Sequence, residues 1–408
     1  MTNTIPTPHL PRGFYATGVA AQIKKNGQPD VALIASDRDC AAAALFTTNK
    51  VKAAPVLYDQ AVLASNNTTI RGVIINSGCA NACTGEQGLT DCRETAESVA
   101  HSLALNQIMA GAIDATQVLV MSTGVIGVNL PMGKLKNGAQ SASMELTTDG
   151  LEAAARAIMT TDTVQKIACA ELRAEGQTYT IAGIAKGSGM IHPNMATMLS
   201  VVMTDAAIDA ENLKAALTQA GNVSFNHISV DGDTSTNDTL LLLANGASGV
   251  SVDTPEKVSA FQSALTDVCI SLAKQMARDG EGATKFITIS ITGAPDMRTA
   301  ENVGRTIAKS PLVKTAFYGE DANWGRIIAA AGYSGEEVYP DRMALWFGPV
   351  MVFEHGMPTR YSEEEATRAI QMHDVEVRLD LGTGTTSTTI WTCDLSHDYV
   401  TINGKYRT

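Results

Sequence analysis

Apolar and polar residues alternate along this chain at two different periods, and the periods take turns. Val31 to Ala35 and Val73 to Asn76 read as short buried strands, the second ending in a glycine-containing turn. Thr90 to Leu105 carries a helical pattern, and Val118 to Met121 is a short strand running straight into Ser122-Thr123-Gly124. Gly150 to Met159 reads as a helix whose end delivers Thr160-Thr161-Asp162-Thr163. Further on, Thr254-Pro255 opens a helix in which Val258, Phe261, Leu265, Val268, Leu272 and Met276 keep helical spacing. It runs out at Arg278-Asp279-Gly280-Glu281-Gly282, a glycine stop. Ile287, Ile289 and Ile291 then alternate with Thr288, Ser290 and Thr292, and Val375, Val377, Leu379 and Leu381 alternate with charged residues. That is the period of half-buried strands. The pattern predicts an α/β protein with mixed sheets layered with helices.

One segment stands apart: Lys186-Gly187-Ser188-Gly189-Met190-Ile191-His192-Pro193-Asn194-Met195-Ala196-Thr197-Met198-Leu199. Its glycines, proline and asparagine disfavour regular structure, so an irregular loop delivers Thr197 to the start of an apolar strand spanning Met198 to Met203. Two readings follow. One is a glycine-rich turn with a β-branched residue opening a strand. The other is a hydroxyl that becomes a nucleophile when the backbone before it is cut. A threonine hydroxyl attacks poorly unless a base takes its proton, and an N-terminal threonine carries its own base. The α-amino group titrates at about 7.7 to 8.0, where general bases work best. No partner histidine is then needed, and His192 reads as a solvated loop residue.

The 408 residues exceed one ordinary core, so two domains or lobes are expected, with the Ala196–Thr197 bond as the candidate boundary. A net charge of −12 argues against sequence-independent binding to a nucleic-acid backbone, which requires clustered lysine and arginine. No apolar stretch approaches the roughly 18 residues of a membrane span. Met1 to Leu10 lacks the pattern of a signal peptide, so a cytoplasmic location is expected. The seven cysteines include Cys79, Cys83 and Cys92, but their spacing matches no zinc pattern. They read as mostly buried thiols in a reducing compartment. No metal and no cofactor are expected, and no P-loop or dinucleotide fingerprint is present.

The segment from Lys186 to Leu199 is similar, residue for residue, to the cleavage-site motif of the ornithine acetyltransferases, the bifunctional glutamate N-acetyltransferases of arginine biosynthesis. The similarity extends over nearly the whole chain. It includes Pro11-Arg12-Gly13-Phe14, Leu45 to Asn49, Asn76 to Gly85 and Ser122 to Gly127. It continues through Asp231 to Asp238, Asp279 to Lys285, Asp321 to Arg326 and Tyr399 to Asn403. The resemblance implies the self-cleaving, N-terminal-nucleophile-like architecture of the ornithine acetyltransferase and aminopeptidase superfamily. Residues 1–196 would form an alpha chain and residues 197–408 a beta chain, cut at Ala196–Thr197 and assembled as a heterotetramer.

By the same resemblance Thr197 is the nucleophile, and Thr123 and Gly124 stabilise the oxyanion. Thr160, Lys186, Thr197, Glu281, Asn403 and Thr408 meet substrate. The implied reaction is ping-pong: Thr197 takes acetyl from N-acetylornithine and gives it to glutamate. Whether acetyl-CoA also serves as donor is left open, since family members differ. The chain departs from the family at Arg407, where threonine is commoner, and at Cys79, where asparagine is frequent. Two other readings stand beside this one. An N-terminal-nucleophile hydrolase or aminopeptidase would use water as acceptor. A non-catalytic binding homologue would have no need of the intact Thr197, Thr123, Gly124, Lys186 and Glu281.

Overall fold

The computed structural model describes residues 7–109, 111–174, 176–192 and 198–405. The chain forms two compact units. The first takes Met1–Gly187, Asn194–Asn226 and Thr234–Ala273, and the second takes Ser188–Pro193, His227–Asp233 and Lys274–Thr408.

In chain order the strands of the first unit are β1 (Phe14–Val19), β2 (Val31–Phe46), β3 (Ile70–Cys79), β4 (Val118–Val125), β5 (Lys166–Ala174), β6 (Gln177–Lys186) and β7 (Leu199–Thr204). Next comes β8 (Ile228–Ser229), which belongs to the second unit, and then β9 (Thr239–Ala244) returns to the first. They form one sheet of order β4-β3-β2-β9-β7-β6-β5, with β1 on β2. The β3–β4 and β7–β9 pairs are parallel, and the rest are antiparallel. β2 binds the sheet together. Its first part pairs with β3, and past a register shift between Ala35 and Cys40 its second part, Ala41 to Phe46, pairs with β9.

Helices α1 (Ala54–Ser65), α2 (Gly85–Ala104), α3 (Met132–Met144), α4 (Leu151–Ala157) and α5 (Ala210–Asn222) belong to this unit. Successive residues of the sheet serve two cores. Val31, Leu33, Ile74, Val118 and Val120 pack with Cys92, Val99, Leu103, Leu135 and Ala139 of α2 and α3. Ala32, Ile34, Val73, Ile75, Leu119 and Met121 pack with Leu151, Ala154 and Ala155 of α4. Burial on both faces explains why these strands read as unbroken apolar runs.

The chain leaves this unit along α6 (Pro255–Arg278), which has the bounds its periodicity predicts. The second unit carries β10 (Phe286–Ala294), β11 (Ala344–Phe347), β12 (Val350–Glu354), β13 (Met357–Pro358), β14 (Asp374–Asp380) and β15 (Thr386–Cys393). Its sheet has the order β13-β12-β11-β14-β10-β15-β8. Its helices are α7 (Met297–Lys309), α8 (Pro311–Tyr318), α9 (Trp324–Gly332), α10 (Glu363–Gln371) and α11 (His397–Gly404). Ile287, Ile289, Ile291, Val375, Val377 and Leu379 enter one core with Val303, Ile307, Ile327 and Ile370 from the helices. The intervening Thr288, Ser290, Glu376 and Arg378 face away from it, as the alternation requires.

Three local expectations change. The compact units do not divide at Ala196–Thr197, because β6 before that bond and β7 after it are antiparallel neighbours, Lys186 opposite Leu199. α2 begins at Gly85, ahead of the expected Thr90. β4 does not stop at Met121 but continues through Ser122, Thr123 and Gly124 to Val125, held by parallel pairing with β3.

Candidate active site

The strand extension of β4 sets the first part of the site. Thr123 and Gly124 lie opposite a bulge at Gly78 and Cys79, so β4 turns there without losing its neighbour. Gly124 has φ +132°, and a Cβ at this position would stand 2.3 Å from the Gly78 carbonyl carbon. Only glycine fits. The bulge is braced by Asn76, which accepts from the Ser122 hydroxyl at 2.6 Å and donates to the Cys79 carbonyl at 2.8 Å. Asn237 donates to the Ala80 and Ser122 carbonyls at 2.7 and 2.8 Å. Cys79 is buried, its thiol against the Val128 carbonyl, and burial pushes that thiol up from its ordinary pKa.

Lys186, the last residue of β6, is 3 % exposed, and its Nζ donates to the Thr123 hydroxyl at 3.2 Å. A buried ammonium needs a counter-charge, and the structure supplies it through Asp162. That carboxylate accepts from Lys166 Nζ at 2.6 Å, from the Gly187 amide at 2.7 Å and from the Thr160 amide at 3.0 Å. Burial pushes the Asp162 carboxyl up. The charges of Lys186 and Lys166, with the Lys166 and Gly187 hydrogen bonds, outweigh that and hold it down to about 2. One carboxylate thus faces two ammonium groups. The buried Lys186 ammonium suits an incoming carboxylate. Thr123, Gly124, Lys186 and Thr160 are in this way brought together within the first unit.

Met198, the residue following the expected nucleophile, donates its amide to Asp238 at 2.9 Å, and its carbonyl accepts from Thr239. Asp238 is 1 % exposed. Burial raises its carboxyl well above the usual range, against the lowering effects of the Met198 amide and the Lys186 charge. Ala196, Thr197 and Thr408, with Arg407, lie outside the described residues.

In the second unit Glu281 and Asn403 meet. The Asn403 amide donates to Glu281 Oε2 at 2.7 Å and to the Tyr399 carbonyl at 3.0 Å. Glu281 is 8 % exposed, so it is a buried carboxyl in the Gly280–Gly282 turn rather than a solvated loop side chain. His192 also departs from expectation. It is half-buried, 3.2 Å from the Ser229 hydroxyl, and burial with the nearby Lys309 and Arg305 lowers it to about 4. Its ring is neutral at pH 7.

The model of the ArgJ family matches residues 15–408. The arginine biosynthesis bifunctional protein ArgJ of Symbiobacterium thermophilum is 49% identical, over 98% of this chain and 98% of its own. The Thermotoga neapolitana protein of the same name is 47% identical, over 98% of this chain and 100% of its own. A crystal structure of the Bacillus halodurans ArgJ protein aligns at 45% identity and TM-score 0.48, covering 50% of this chain and 97% of that one. The chain belongs to the ArgJ family. It is an acyltransferase of arginine biosynthesis, as its sequence leads one to expect.

Within this ArgJ-family chain, sequence reasoning passed over three carboxylates. Asp162 sits inside Thr160-Thr161-Asp162-Thr163, which reads as a helix-to-strand turn; its partner Lys166 is local, but the Gly187 amide joins them only when β5 pairs with β6. Asp231 and Asp238 bracket the matched block Asp231 to Asp238, in which polar residues with turn propensity conceal which ones point inward. The available signal was the density of acids in that block beside an apolar strand, Thr239 to Ala244. Six of the seven cysteines are buried and Cys83 is exposed. Among the described residues no helix is long and apolar enough to cross a membrane.

Proposed function

We propose that this chain transfers an acetyl group from N-acetyl-L-ornithine to L-glutamate through an ester on Thr197, after cutting its own backbone at Ala196–Thr197. The observation that carries the reading is the buried Lys186–Thr123 contact beside the obligatory glycine at 124, in a chain of the ArgJ family. It supplies a hydroxyl, a backbone turn and a cation where an acyl group with a carboxylate would be handled.

In the maturation step Thr197 Oγ attacks the Ala196 carbonyl carbon. The new C–O bond replaces the C–N bond, and the hydroxyl proton moves to the departing nitrogen. Water then hydrolyses the ester, leaving the Ala196 carboxylate and a Thr197 with free amine and hydroxyl. In transfer, that amine takes the hydroxyl proton as Oγ attacks the acetyl carbon. The tetrahedral oxyanion receives hydrogen bonds from Thr123 and Gly124, and the proton passes to the ornithine amine as it leaves. Glutamate's amine reverses the sequence. Lys186 receives a substrate carboxylate, helped by Thr160 in the loop that Asp162 holds, and Glu281 with Asn403 receives a substrate ammonium. Thr408 completes the substrate contacts. The cleaved chains assemble in the cytoplasm as a heterotetramer.

The test supplies purified protein with N-acetylornithine, with and without glutamate. N-acetylglutamate and ornithine should accumulate together, and only when glutamate is present. Free acetate as the main product would replace this reading with a hydrolase. Acetyl-CoA as sole donor, in the same assay, decides whether the second activity exists.

A further inference from the structure

The second unit contains a chain of hydrogen bonds that the transfer chemistry does not use. Asp231 accepts two consecutive backbone amides, Met190 at 2.6 Å and Ile191 at 2.9 Å, and also the Asp233 amide at 3.3 Å. Met190 has φ +56°, the left-handed conformation that turns neighbouring N–H groups toward one anion. The same carboxylate accepts from the Tyr399 hydroxyl of α11 at 3.1 Å. Burial and the adjacent Asp231 charge raise the phenol, so its proton stays on to be donated.

Around this point α11 is anchored to the turn that carries Glu281. Ser396 caps the helix and donates to the Gly282 carbonyl at 2.6 Å. The Glu281 amide donates to the Ser188 carbonyl at 2.8 Å. A Cβ on Gly189 would come within 2.3 Å of the Glu281 carboxyl, so residues 188 and 189 lie directly on that side chain. Residues 188–191 are therefore gripped twice, by Asp231 through their amides and by the Glu281 turn. Both grips are tied to the last helix of the chain. In sequence these residues lead into the Ala196–Thr197 bond.

We propose that Asp231 is a positioning residue for self-cleavage: it gathers the Met190 and Ile191 amides and ties them through Tyr399 to α11, so that the segment before the scissile bond is set only once the end of the chain has folded. The inference rests on the self-cleavage reading above and changes none of its chemistry: the C–O bond forms, the C–N bond breaks, and water completes the cut. It gives the order of events, with folding of residues 397–404 before the cut.

The experiment follows freshly made full-length chain by denaturing gel and records the rate at which the 197–408 chain appears. Tyr399→Phe removes only the hydroxyl, and Asp231→Asn removes the charge at constant shape. Both should slow separation by about tenfold or more, the usual effect of losing a hydrogen bond to a charged group. Once separation is complete, the kcat and KM of both variants should match the wild type, which distinguishes a role in maturation from general damage. Thr401→Ala trims another hydroxyl of α11, one that donates to the His397 carbonyl within the helix, and should separate at the wild-type rate. If Tyr399→Phe and Asp231→Asn keep pace with the wild type, or if Thr401→Ala slows equally, the inference is overturned while the proposed function stands. A wild-type chain that never separates removes both.

Discussion

Replacing Asp162 by asparagine probes the electrostatic design of the site most directly. The carboxylate uses one oxygen for Lys166 Nζ and the Gly187 amide, and the other for the Thr160 amide. An asparagine amide has a single acceptor, so in either orientation a donor faces a donor. The charge also disappears from between two buried ammonium groups. The carboxyl sits at about 2 against an ordinary 3.8. That depression corresponds to roughly 2 kcal/mol of native-state stability. Removing the charge that Lys166 Nζ contacts at 2.6 Å in a buried pair brings the loss toward about 3–5 kcal/mol.

The pH dependence has a definite sign. A depressed carboxyl contributes stability that is complete above its unfolded value, near 3.8, and is lost as pH falls through about 2. Urea unfolding of wild type and Asp162→Asn should therefore differ by about 3 kcal/mol at neutral pH. The difference should shrink steadily as pH is lowered through that window. A loss under about 1 kcal/mol at pH 7, the level of a surface pair, would refute the argument. So would a difference that persists unchanged in acid.

Other outcomes follow from the same geometry. Gly124→Ala drives a Cβ against the Gly78 backbone at a positive φ, so a melting curve should show several kcal/mol of destabilisation or a failure to fold. Thr123→Ala keeps the fold but removes a proposed oxyanion donor and the partner of Lys186, and steady-state kinetics should show kcat down by about 10²–10³. Asp238 holds its proton because burial raises its carboxyl. Its contribution to stability is therefore complete at low pH and lost as pH rises through that raised value. Asp238→Asn keeps the neutral form, so its melting temperature should fall less than that of wild type as pH rises above the ordinary carboxyl range.

How much of this could be read from sequence depended on whether local pattern or tertiary pairing decides each element. α6 carries its own start, stripe and stop, and it appears at the bounds predicted from Pro255 and Arg278. β10 and β14 alternate because one face enters a core with helices while residues such as Thr288, Ser290, Glu376 and Arg378 on the other stay partly or fully exposed. By contrast, Ser122-Thr123-Gly124 looks like a turn, and only pairing with the bulged end of β3 keeps it in a strand. The first turn of α2 has two glycines, Gly85 and Gly88, and reads as loop. Gly88 is nevertheless required, because a side chain there would strike Thr84 and Asn81. At the site, the resemblance named Lys186 and Thr123, and the structure adds their contact and the carboxylate behind it. Asp231 and Asp238 were hidden because Met190, Tyr399 and Met198 lie far off in sequence, and Asp162 because the Gly187 amide that joins the local Lys166 on it comes 25 residues later. His192 was misjudged because its burial, beside Ser229 and near Lys309 and Arg305 of α7, depends on segments far off in sequence.

An acetyl group carried on Thr197 of a chain that has cut itself can be tested by intact mass spectrometry in one measurement. Purified protein should resolve into residues 1–196 and 197–408. After exposure to N-acetylornithine without glutamate, only the second chain should gain one acetyl group, and glutamate should remove it. Thr197→Ala should stay as one unmodified full-length chain. A single uncut chain from active wild-type protein, or an acetyl group found on any residue other than Thr197, would contradict the account.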